Sequence, residues 1–92
     1  MSVVRGVKPT GLIGKVLDSV TDTPLSIATV EIGILNKTVS CDAEGRYEFK
    51  DIPADKLSIV FKAEGYQTLV VEGRDVKMGV TGRLNVKMEA VA

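Results

Sequence analysis

Ninety-two residues, 45% apolar and 26% charged, suit one globular domain with one core, and they exclude a two-domain enzyme. Twelve Lys and Arg offset twelve Asp and Glu, so the basic excess on which nucleic-acid binding rests is absent and no nucleic-acid partner is expected. A chain of this length removes about two-thirds of its surface from water on folding, which leaves no deep internal ligand cavity and puts any site on the surface.

Residues 1–10 read as an amino-terminal arm whose Val3, Val4, Arg5 and Val7 make it apolar enough to pair with a sheet edge, its own or a neighbour's. They lack the continuous apolar stretch of a signal peptide, and no run approaches the roughly 20 residues that span a bilayer. The expectation is therefore a cytoplasmic chain without membrane insertion, carried into an exported particle or extracellular if the domain is cut from a longer protein.

From residue 11 onward, apolar and polar residues alternate in short runs punctuated by Gly, Pro, Asp and Asn, and no window shows the apolar stripe of a helix. The first strand covers 11–18, with Leu12, Gly14 and Val16 on one face and Ile13, Lys15 and Leu17 on the other. Residues 19–24 make a loop, since Pro24 fixes φ and lacks a ladder donor. The run 27–34 is the cleanest strand, with Ala28, Val30, Ile32 and Ile34 in one phase. Asn36 and Lys37 turn the chain into 38–41, and residues 42–45 turn it into 46–50, so these short strands are expected as a hairpin series with Tyr47 and Phe49 inward.

After a loop at 51–55, the run 57–63 places Leu57, Ile59, Phe61 and Ala63 inward, and Glu64-Gly65 turns it into 66–72. A flexible hairpin loop over 73–79 leads to the last strand, 81–88, with Leu84, Val86 and Met88 inward. Seven short strands with turns between them predict an all-β, seven-stranded antiparallel sandwich over 11–89, followed by a tail at 90–92.

Four segments in order carry a resemblance. They are Gly14-Lys15-Val16-Leu17-Asp18, then Thr23-Pro24-Leu25 with Ala28-Thr29-Val30-Glu31-Ile32, then 42–49 with Ile52-Pro53, and finally Ala63-Glu64-Gly65-Tyr66. Together they resemble the carboxypeptidase regulatory-like domain family over about residues 11–88, which implies a transthyretin-like (prealbumin-like) β-sandwich. The chain departs from the family pattern at Ala54-Asp55-Lys56 after Pro53, where Gly is common, and at Cys41, where Thr is usual. The resemblance implies a scaffold and not an activity, because such modules serve peptidases, outer-membrane receptors, adhesins and particle-forming proteins.

Candidate chemistry is sparse. The chain has no His, so neither a Ser-His-Asp nor a Cys-His arrangement exists, and no cofactor, metal site or catalytic residue is expected. A lone cysteine, Cys41, cannot form an internal disulfide, and its phase with Val39 and Tyr47 makes it an inert buried thiol. Asp42 and Glu44 fall short of a calcium loop and read as turn residues. The glycines of 73–82 do not follow a phosphate-binding pattern. Lys15 and Asn85, on the first and last strands, are both out of phase with the core, which argues against an isopeptide bond between them.

Surface for partners remains. Ile13, Leu17, Val60 and Val70 fall on the outward phase of their strands and are candidates, with the arm, for a contact patch. The acids cluster as well, with eight between Asp18 and Asp55 against Lys37, Arg46 and Lys50. The sequence thus predicts a non-catalytic structural or protein-interaction module, a small adaptor or decoration subunit of a larger assembly such as a phage-like or contractile-injection particle, which associates with protein partners or with itself. The alternative is an accessory domain of a secreted or cell-surface protein that binds carbohydrate or a protein, disfavoured for sugar because only Tyr47, Phe49, Phe61 and Tyr66 are aromatic and three of these read as core.

Overall fold

Short alternating runs separated by turn formers fold into strands, and the computed structural model describes residues 10–91. In chain order these are β1 (Gly11–Asp18), β2 (Thr29–Ile32), a 3-10 turn (Gly33–Leu35), β3 (Lys37–Ser40), β4 (Arg46–Phe49), β5 (Lys56–Lys62), β6 (Leu69–Asp75), β7 (Thr81–Arg83) and β8 (Val86–Met88). One sheet runs β4-β1-β7, with β8 following β7 along the same side of β1, and the other runs β3-β2-β5-β6. The inward residues of both sheets make one core, with Leu12, Val16, Val30, Ile32, Ile59, Phe61 and Met88 fully enclosed. Tyr47 sits edge-on to both Phe49 and Phe61, with ring centroids 6.2 and 5.6 Å away.

The all-β sandwich is as the alternation predicts, but it has eight strands and is not wholly antiparallel. The run 81–88 divides at Leu84 and Asn85, and both halves, β7 and β8, lie parallel to β1. The cause is local. The Leu84 N–H donates to the Ile13 carbonyl at 2.8 Å, as a parallel ladder requires, but the Leu84 carbonyl turns into the sandwich and accepts the Tyr47 hydroxyl at 2.6 Å. The Lys15 N–H, which that carbonyl would have served, donates instead to Asn85 Oδ1 at 3.0 Å, so a carboxamide stands in for a peptide carbonyl. A Cβ at position 14 would overlap the Leu84 carbonyl, and Gly14 is what admits it.

Four further expectations are corrected. Ile34, predicted inward, is 83% exposed, because the 3-10 turn ends the strand at Ile32 and Asn36 closes the turn in the left-handed region at φ 56°. β3 and β4 are not a hairpin pair, since the turn closed by the Asp42 N–H on the Arg46 carbonyl carries the chain from one sheet to the other. The strand predicted at 66–72 lies at Leu69–Asp75, and Tyr66 makes only a bridge to Ala90. Finally, residues 73–79 are not a flexible hairpin loop. β6 occupies their first three positions, Val76 is buried with its N–H on the Asp55 carbonyl, and the segment crosses between sheets.

Candidate interaction face

The outward residues of β1 are Ile13, Lys15 and Leu17, and the ladder decides what stands beside them. Ile13 lies opposite Glu48 of β4 and Arg83 of β7, and Lys15 lies opposite Arg46 of β4. An open groove of about 830 Å³ lies over this face, lined by Ile13, Lys15, Arg46, Glu48 and Arg83 together with Asn85, Asp42 and, from β3, Val39 and Ser40, while Leu17 lies outside it. Ile13 and Leu17 are half-buried, Leu17 lying between Pro24 and Lys87. Val60 and Val70 are directly opposite one another, but on the outer face of the second sheet. The four apolar candidates therefore form two pairs with the core between them and not one patch. Val3, Val4, Arg5 and Val7 lie outside the described residues.

Charge on the first face is uneven. Among the described residues, Lys50 is 4.0 Å from Glu48, Lys62 is 3.9 Å from Glu31 and Lys87 is 2.9 Å from Asp22, whereas Lys15, Arg46 and Arg83 have no carboxylate within 4.0 Å. Sequence reasoning missed this cluster. Its members are far apart in the chain, and only the strand register brings them together.

The remaining polar groups have structural roles. Asp42 Oδ1 accepts the N–H groups of Glu44 and Arg46, both at 2.9 Å, which makes it the anchor of a turn. Cys41 is buried, and burial, with the Asp42 charge beside it, pushes its thiol up to about 11. Asp18 accepts the Tyr66 hydroxyl at 2.6 Å on one oxygen and the N–H groups of Val20 and Thr21 at 2.8 and 3.0 Å on the other. The tyrosine bond, then the two amides, hold its carboxyl down at about 2, and the same bond raises the Tyr66 hydroxyl. This pair ties the end of β1 to the turn before β6. Among the described residues no three Cys, Asp or Glu side chains gather as a metal site, and no helix is long and apolar enough to cross a membrane.

Similar solved structures share the sandwich. A chain of an amino-terminal interface mutant of the type II cohesin–X–dockerin complex from Acetivibrio cellulolyticus is 22% identical at a TM-score of 0.75, over 88% of this chain and 58% of that one. A chain of the carboxy-terminal interface mutant of that complex is 21% identical at 0.64, over 85% and 51%. A membrane-associated protein of unknown function from Bacteroides fragilis is 22% identical at 0.65, over 91% and 28%. The chain thus spans little more than half of the first two and under a third of the last. No curated protein matches it. The model of the carboxypeptidase regulatory-like domain matches residues 11–89, from the first residue of β1 to just past β8. With that match covering all eight strands of the sandwich, this chain belongs to the carboxypeptidase regulatory-like domain family.

Proposed function

We propose that this domain is a non-catalytic protein-interaction module, used as a small adaptor or decoration subunit in a larger assembly. The observation that carries the reading is the outer face of the first sheet, where half-buried Ile13 sits beside Lys15, Arg46 and Arg83, cations that have no carboxylate within 4.0 Å among the described residues. A mixed apolar and Arg-bearing surface is the kind that proteins bury against proteins. A sugar site is disfavoured on the same ground: Tyr47, Phe49 and Phe61 are buried, and half-buried Tyr66 has its hydroxyl engaged by Asp18, which leaves no exposed aromatic platform. Two of the similar structures come from a protein complex, which supports the reading by analogy of fold. The absence of any His agrees with a role other than hydrolysis by a His-containing triad.

The test is retention of a native partner by the immobilised domain, compared with Ile13→Asp and Leu17→Asp. Both variants should keep the parent's circular dichroism, because the positions face outward, while Ile13→Asp weakens retention by placing a charge in a desolvated contact. Retention unchanged in a folded Ile13→Asp would remove this face as the interface. Specific binding of a defined glycan in place of any protein would overturn the reading itself.

A further inference from the structure

We infer that the groove over β1, β4 and β7 takes an acidic segment of a partner protein, an inference that rests on the interaction reading above and names the chemistry of its partner. Lys15 and Arg46 are directly opposite across the β1–β4 ladder, an arrangement of like charges that destabilises a sheet. Arg83 joins them from the other side of β1. Among the described residues, none of the three has a carboxylate within 4.0 Å. Two carboxylates line the groove, but Asp42 Oδ1 is engaged by two backbone N–H groups and Glu48 is shared with Lys50, so the face keeps a cationic excess.

Incoming carboxylates would relieve the repulsion between Lys15 and Arg46 and meet the planar fork of two arginines, while Ile13 and Val39 supply apolar area beside them. Nucleic acid is the other anionic occupant. It is disfavoured because three cations without an exposed aromatic ring give neither the phosphate neutralisation nor the base stacking that single strands need.

The experiment is fluorescence anisotropy of the whole domain with three labelled probes: a short peptide alternating Glu and Val, its counterpart alternating Lys and Val, and a short oligothymidine. The Glu-Val peptide should bind at least about tenfold more tightly than the Lys-Val peptide, and it should weaken as salt rises from about 50 to about 200 mM. Arg46→Glu should weaken it by about tenfold or more while leaving the domain folded, since that substitution removes a like-charge pair. Lys62→Glu on the other sheet should change nothing. Equal affinity for both peptides, indifference to Arg46→Glu, or tighter binding of the oligothymidine overturns the inference. So does a dimer of the domain that Arg46→Glu dissolves, which would give the groove to a second copy. If Ile13→Asp abolishes partner retention but the probes show no preference for acid, the interaction reading stands and this inference falls.

Discussion

Replacing Tyr47 by Phe tests the irregularity on which the first sheet is built. The hydroxyl reaches the Leu84 carbonyl at 2.6 Å from a ring that is almost wholly buried, and burial raises its titration well above the usual phenol range. Removing it leaves a carbonyl turned into the sandwich without a donor, which costs about 1–3 kcal/mol. For a domain of this size, about 2 kcal/mol lowers the Tm by about 8–16 °C. Gly14→Ala strikes the same carbonyl from β1 and must displace backbone, so it costs about 3 kcal/mol or more. Asn85→Ala frees the Lys15 N–H at an exposed position where water replaces the carboxamide, at under about 1 kcal/mol. Urea midpoints should therefore fall in the order Gly14→Ala, Tyr47→Phe, Asn85→Ala, with an unchanged slope. A Tyr47→Phe unfolding free energy within a few tenths of a kcal/mol of the parent would mean that the Leu84 carbonyl points elsewhere and that 81–88 is one continuous strand.

Other perturbations read other parts of the molecule. Phe61→Ala should cost about 3–5 kcal/mol, because a fully buried ring is lost from a small core, and a denaturation midpoint that barely moves would show the strand phase to be wrong. Asp18 titrates near 3.8 when unfolded and at about 2 when folded, so its contribution is complete above about pH 4 and is lost as pH falls through that window, where the unfolded chain takes up a proton that the folded chain refuses. Tyr66→Phe should flatten the stability curve between about pH 4 and 2, and an unchanged slope there would disprove the pairing. Cys41 should resist a thiol reagent at pH 8 in the folded domain and react on unfolding, whereas rapid labelling of the native protein would place the thiol outside the core.

What the sequence disclosed depended on whether the determinants were local. Leu12 and Val16, Val30 and Ile32, and Leu57, Ile59 and Phe61 recur at every second or fourth position of their runs, on one phase, and all of them are buried. Gly45 and Gly65 mark turns in the chain and adopt φ of 74° and 85°. Ile34 continues an apolar alternation into the 3-10 turn that begins at Gly33 and that Asn36 closes, so periodicity alone carried the strand too far. The break at Leu84 depends on Tyr47 and Gly14, 37 and 70 residues away, and no pattern within 81–88 records it. The candidate face divides in the same way. Alternation marked Ile13 as outward, but Lys15 meets Arg46 and Ile13 meets Arg83 only through strand register, a tertiary fact.

The claim that this sandwich works through the outer face of its first sheet is tested most directly by titrating the methyl-labelled domain with its retained partner and following the NMR shifts of individual side chains. Shifts are expected at Ile13 and Val39, which line the groove, with Val60 and Val70 on the opposite sheet unmoved. Shifts confined to Val60 and Val70, with Ile13 undisturbed at saturation, would contradict it.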